Sequence, residues 1–217
     1  MKVVRADGTT LTSHPHTLVL LIRHAETDAL GVRLAGRTLD SALSVRGRTD
    51  AVRVAHDLAD VPLAAIYSSP RRRARETAAP LASARGVEII LDAAFDEVDF
   101  GTWSGMTFED LSRRGEWRRY NEQRATSPIP AGEPAAATRV RIAAACAALH
   151  RRHPGATVAV VTHAEIVRYA VLLARGRSLN DWQTVDVGTA SVTPLACDAS
   201  GVIELVARAR VAGGVLA

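Results

Sequence analysis

Two six-residue runs constrain this chain more than any other feature. Residues 17–22 (TLVLLI) and Thr157–Thr162 (TVAVVT) are apolar with almost no alternation, and each ends abruptly, the first at Arg23-His24 and the second at His163. A strand covered on one face alternates apolar and polar side chains, whereas a short run without alternation is covered on both faces. Both runs therefore belong in the middle of a sheet that carries a layer on each side.

The intervening segments supply those layers. Ser44 reads as the N-cap of a helix whose apolar residues Val45, Ala51, Val52, Ala55 and Leu58 recur at three- and four-residue spacing. Residues 63–67 form a second buried strand. Ser69-Pro70 then opens a helix over 71–85, with the serine as cap, and 87–91 forms a third strand. Residues 92–132 are irregular, broken by Gly101, Gly105, Gly115, Pro128 and Pro130, as excursions that cover a site often are. Ala135–Arg152 is a long alanine-rich helix stopped before Pro154-Gly155, and Ala164–Ala174 is the helix that follows the TVAVVT strand. Residues 188–195 and 202–208 close the sheet, the latter alternating as an edge strand does. The expected fold is an α/β three-layer α/β/α sandwich with a mostly parallel central sheet.

Length places all this in one unit. The 217 residues suit one domain, 17–217, preceded by an N-terminal extension, 1–16, with little periodicity. His14 and His16 flank Pro15 in that extension, and two histidines without further ligands read as a solvated tail rather than a metal site. Cys146 and Cys197 match no metal or redox spacing, exclude a disulfide framework and read as small buried hydrophobes, with Cys197 placed just after a strand. No apolar run approaches the roughly 20 residues of a membrane helix, and nothing near the start resembles a secretory leader. The expectation is a cytoplasmic protein without membrane association.

Charge enters where function is at stake. Of the 27 basic residues only Lys2 is a lysine, and the net charge is +4. Arginine's planar fork suits phosphate, but an alanine- and arginine-rich chain carries many arginines on its surface regardless, so position must separate the two. The clusters at 71–75 and 113–119 lack interleaved stacking aromatics and read as solvated faces, so no nucleic-acid partner is expected.

In open α/β sheets, ligands bind beyond the carboxyl ends of the strands. That rule collects Arg23 and His24, then Ser68-Ser69 with Arg71, Arg72, Arg73 and Arg75 at a helix start, then His163 at another helix start. Two helix N-termini, arginines and histidines at one edge suit a phosphate dianion.

These residues also carry a resemblance. The run Leu21-Ile22-Arg23-His24-Ala25-Glu26-Thr27 resembles the LIRHGET motif of the histidine phosphatase superfamily, which has the phosphoglycerate-mutase-like fold. Residues 68–78 resemble SSPLxRARQTA, 95–105 resemble LxExxFGxWEG, and 160–165 resemble VVSHGG. Weaker matches are 34–37 to an LQGR loop and 130–133 to PGGES. The four main motifs occur in order over roughly 19–195, nearly the whole chain.

The resemblance implies a metal-independent phosphomonoesterase without a cofactor, acting on a small-molecule phosphate ester. His24 would be the nucleophile, Arg23, Arg73 and His163 the groups that bind the phosphoryl oxygens, and Glu97 the general acid and base. Thr27, Gly36 and Ala164 complete the implied phosphate contacts. Arg71, Arg72 and Arg75 are left to the surface or to support, and Asp96, Asp99 and Glu26 compete with Glu97. Trp103 and Phe100 read as packing.

The departures are Ala25 and Ala164 for glycines, Leu30 where many members carry an asparagine, and Glu165, whose carboxylate opposes an anion unless it points away. Within the family a cofactor-dependent phosphoglycerate mutase is the alternative, disfavoured because only 106–132 intervenes after the Glu97 motif, without a proline-rich insertion. Leu30 and Glu165 also leave open a non-catalytic phospho-ligand binder. Specificity is assigned to 29–40 and 92–132, with Arg33, Arg37, Arg118 and Arg119 as anion contacts, and the late strands leave room for a homodimer.

Overall fold

The computed structural model describes residues 3–5, 16–199, 201, 203–211 and 214–216. Its strands are β1 (Val3–Arg5), β2 (Thr17–Arg23), β3 (Leu63–Ser68), β4 (Ile89–Leu91), β5 (Thr157–Thr162), β6 (Val192–Cys197), β7 (Ile203–Val211) and β8 (Gly214–Leu216). They form one sheet in the order β1-β7-β6-β2-β5-β3-β4, with β8 also paired to β7. The two unbroken apolar runs lie side by side at its centre: β2 pairs parallel with β5, Leu21 opposite Val160 and Arg23 opposite Thr162. β3 and β4 continue the parallel half, and β6 returns antiparallel on the other side of β2.

Leu18 to Ile22 are all fully buried, and they divide by parity. Val19 and Leu21 join Val158, Val160 and Leu195 on one face, while Leu18, Leu20 and Ile22 join Ala159 and Val161 on the other. This is the two-residue period of a strand with apolar cover on both sides. On the second face lie α1 (Val45–Asp57) and α2 (Arg72–Ser83), through Ala51, Val54, Ala74, Ala78 and Leu81. On the first lie α5 (Ala135–Arg152) and α6 (Ala164–Ala174), through Ile142, Cys146, Leu149, Ile166 and Ala170. The three-layer sandwich follows directly from this double burial.

Several local signals act as the sequence implies. Ser44 caps α1, its Oγ accepting from the Gly47 N–H at 3.0 Å. Cys146 and Cys197 are buried free thiols, and the Cys146 thiol together with burial pushes the Cys197 thiol well up. Others differ. The strand expected at 202–208 is not an edge, because β7 lies between β6 and β1. Val3–Arg5, read as part of an irregular extension, pairs antiparallel with β7. His14 lies outside the described residues. β6 begins and ends later than 188–195 and takes in Cys197. At α2 the capping residue is Arg71, not Ser69, because the helix begins at Arg72, two residues later than a Ser69 cap would start it.

Between β4 and α5 the chain builds α3 (Phe108–Ser112) and α4 (Gly115–Glu122). Trp103 and Tyr120, both fully buried, anchor them, the rings of Trp103 and Trp117 meeting edge-on at 5.3 Å. Gly101 (φ +49°) fits its position because a Cβ there would sit 2.1 Å from the Pro130 carbonyl oxygen. The loops at 99–102 and 130–133 thus lie back to back, joined by Glu133 N–H to Asp99 O at 2.8 Å and Thr102 N–H to Pro130 O at 3.1 Å. No described helix is long and apolar enough to cross a membrane.

Candidate active site

The carboxyl ends of β2, β3 and β5 open into a cleft of about 260 Å³ under α3 and α4. Arg23, His24, Thr27, Gly36, Arg73, Glu97 and Ala164 all line it. His163 belongs to the same cluster but sits behind the wall, fully buried, its ring centroid 5.3 Å from that of His24 with the planes at 63°.

Hydrogen bonding assigns the two imidazole tautomers. His24 Nδ1 lies 2.8 Å from the Ala25 carbonyl oxygen, which only accepts, so Nδ1 carries the proton and Nε2 keeps its lone pair. His163 Nδ1 lies 3.0 Å from Arg73 Nη2, which only donates, so the His163 proton is on Nε2, facing Ser69 Oγ at 2.8 Å. Ser69 donates in turn to Asp96 Oδ1 at 3.0 Å. Arg73 also donates to the carbonyls of Gly36 at 2.8 Å and Leu39 at 3.3 Å. Gly36 takes φ +52°, and a Cβ there would meet Ser104 Oγ at 2.6 Å, so the close approach of this loop depends on glycine.

Burial and charge shift proton affinities in opposite directions. Burial, then the neighbouring Arg73 and Arg23, push the His24 imidazole down to about 3, and burial and Arg73 push His163 well below its ordinary value. Burial, then the carboxylate of Glu165, push Glu97 up to about 7. Two neutral imidazoles thus stand beside a carboxyl poised between its two forms.

Among the competing carboxylates only Glu97 faces the cleft. Asp96 is held by Ser69 and Arg71, the latter at 3.1 Å; Asp99 accepts from the Gly101 N–H; Glu26 accepts from Ser44. Glu97 is positioned from behind: Arg37 Nε donates to its carbonyl at 2.6 Å, and Glu133 ties Arg37 to Arg141. The 130–133 motif therefore serves as a brace.

The start of α2 differs from expectation. Its N–H groups are taken by protein, Arg72 N–H by Asp40 Oδ1 at 3.2 Å and Arg71 N–H by Ser69 Oγ at 3.3 Å, so only the Arg73 side chain serves the cleft from this helix. α6 does open there, through Ala164 and Glu165. Ala25 and Ala164 are not among the residues with positive φ, so alanine replaces glycine there without backbone strain. Arg33 lines the cleft; Arg118 and Arg119 lie outside its lining.

Sequence reasoning passed over several residues. Arg124, nearly fully buried, is ion-paired to Glu165, which also binds Arg168, and the Arg124 guanidinium lies 3.5 Å over the Trp182 ring. These three charges come from α6 and the turn after α4, 41 residues apart, and no local pattern links them. Only Glu165, as a departure from the family motif, signalled this part of the wall.

A three-layer sandwich that gathers Arg23, His24 and the buried Arg73 at one cleft, with His163 directly behind it, defines a class, the phosphoric monoester hydrolases of phosphoglycerate-mutase-like fold. The chain belongs to the histidine phosphatase superfamily (branch 1), which its residues 19–208 match. It is 34% identical to phosphoserine phosphatase 1 of Hydrogenobacter thermophilus over 159 residues, 71% of this chain and 75% of that one. It superposes on Bacillus stearothermophilus YhfR with a TM-score of 0.80 at 28% identity, covering 87% of this chain and 95% of the other. Mycobacterial glucosyl-3-phosphoglycerate phosphatase, solved in complex with VO3, gives 0.76 at 27% identity, covering 86% and 95%.

Proposed function

We propose that the protein hydrolyses phosphate monoesters of small metabolites through a phosphohistidine on His24, without a metal or cofactor. The observation that carries this reading is the bond from His24 Nδ1–H to the Ala25 carbonyl, which leaves the Nε2 lone pair available in a cleft already lined by Arg23 and Arg73. Nε2 attacks phosphorus while the P–O ester bond breaks and its electron pair leaves on the alkoxide, which takes the proton from Glu97. Glu97, now a carboxylate, takes a proton from water as that water attacks the phosphohistidine, and His24 is restored with release of phosphate. Arg23 and Arg73 offset the charge on the phosphoryl oxygens, with Thr27, Gly36 and the Ala164 N–H as further contacts. His163, behind the cleft wall, accepts from Arg73 through Nδ1 and so holds that guanidinium toward the phosphoryl oxygens.

Relatives that act on phosphoserine and glucosyl-3-phosphoglycerate support a small phosphorylated metabolite as substrate. Arg124 and Arg168 pair both oxygens of Glu165, which reduces its opposition to the phosphate and weakens the case for a non-catalytic binder. The test is to trap protein-bound, acid-labile phosphate from a labelled ester. Labelling that disappears in His24→Ala is expected; phosphate release without any labelling overturns the mechanism. Isomerisation of 3-phosphoglycerate with catalytic 2,3-bisphosphoglycerate, without phosphate release, would instead establish a mutase.

A further inference from the structure

The outer half of the cleft has two walls of different chemistry. One is largely apolar: Leu30 and Phe108 are exposed at the mouth, with Leu34 and Trp117 behind them, and its cation, Arg33, donates to the Gly105 carbonyl at 2.9 Å. The other is the Glu165 cluster. Each carboxylate oxygen takes one guanidinium, Oε2 from Arg124 and Oε1 from Arg168. The arginines are further committed, Arg124 to Asn121 Oδ1 at 3.0 Å and the Trp182 face, Arg168 to the Val185 carbonyl at 3.0 Å.

We infer that Glu165 is a specificity residue that occupies Arg124 and Arg168 and turns the outer cleft toward phosphate monoesters whose leaving group is uncharged and apolar or aromatic. This deepens the phosphatase reading and rests on it. A substrate carboxylate entering this half must either displace Glu165 from its two arginines or sit beside a like charge, since the guanidiniums are already turned to an internal anion. A cationic leaving group faces those same guanidiniums. An uncharged group avoids both penalties and gains contact with Leu30, Leu34, Phe108 and Trp117. Leu30 contributes here as an apolar surface, where many members of the family carry a polar side chain.

The experiment compares binding of two phosphonates by calorimetry, because a carbon–phosphorus bond removes leaving-group reactivity from the comparison. Benzylphosphonate is expected to bind the wild type at least tenfold more tightly than 3-phosphonopropionate. Glu165→Gln is expected to narrow that ratio at least tenfold, chiefly by improving the carboxylate ligand, and Trp117→Leu to weaken benzylphosphonate alone. Equal or tighter binding of 3-phosphonopropionate by the wild type, or a ratio unmoved in Glu165→Gln, overturns the inference. If Glu165→Gln does not fold, the wild-type ratio and Trp117→Leu decide. The phosphatase reading fails separately, through absence of His24 labelling or of phosphate release, and the binding ratio does not depend on either.

Discussion

Arg73 Nη2 lies 3.0 Å from His163 Nδ1, a contact that exists only while that nitrogen is unprotonated. It orients the whole chain of bonds behind the site: His163 Nε2–H to Ser69, and Ser69 to Asp96. A guanidinium on one side and a hydroxyl on the other hold a fully buried ring in one tautomer and one orientation.

Ser69→Ala removes the acceptor for His163 Nε2–H where no water reaches it. The expected cost is about 1–3 kcal/mol in stability, the usual range for a stranded buried polar group. Because the ring loses its orientation toward Arg73, kcat should fall by about tenfold, less than the roughly 10²–10⁴ that a directly acting acid or base contributes. Urea denaturation and steady-state kinetics on one ester check both, and an unchanged kcat would show that Ser69 does not position His163.

Glu97, raised to about 7, makes the two half-reactions depend on pH in opposite senses. Labelling of His24 needs the protonated acid and should fall about tenfold per pH unit above 7; dephosphorylation needs the carboxylate and should fall below 7. His24, at about 3, stays neutral across that window. Rapid-quench measurements of the two steps distinguish the limbs, and Glu97→Gln should flatten both.

The same shift has a consequence for stability. A carboxyl whose folded value lies above its unfolded value of 4.5 favours the folded state below that value and loses the advantage as pH rises through about 7. Above pH 7 the wild type therefore carries a penalty of at most about 3 kcal/mol that Glu97→Gln lacks. Thermal melts should show the variant gaining relative to wild type at pH 8 and not at pH 4.5; parallel melts at both would contradict the assignment of Glu97 as a buried acid.

Gly101→Ala forces a Cβ into the Pro130 carbonyl oxygen and places alanine at φ +49°. Two separate penalties, overpacking of about 1–3 kcal/mol and a left-handed backbone of about 1–2 kcal/mol, act on one residue. The midpoint in urea should drop accordingly. Activity should fall with it, since this loop pair braces the segment that carries Glu97.

If guanidiniums offset the phosphoryl charge, a chelator leaves turnover unchanged while Arg73→Lys lowers kcat by about 10²–10³, the magnitude of losing one preorganised donor at a developing charge. Lysine keeps the charge but not the fork that reaches Gly36, Leu39 and His163 together. Loss of activity in chelator would contradict the mechanism.

The sequence by itself determined the sandwich and which residues gather at its edge to form the candidate site. β5, α5 and α6 fall where the unbroken TVAVVT run, the alanine-rich segment and Pro154-Gly155 place them, because burial on both faces and helix termination are written in consecutive residues. Arg23, His24, Arg73, Glu97 and His163 were legible for a related reason: each follows a strand end or sits in a motif of fixed spacing, and parallel pairing brings such ends to one edge. Tertiary structure alone decided the rest. It buried His163 behind Arg73, spent the N–H groups opening α2 on Asp40 and Ser69, and set Glu165 between Arg124 and Arg168. Ion pairing and burial are properties of neighbours in space, so residues 41 positions apart carry no shared mark in the chain until folding makes them adjacent.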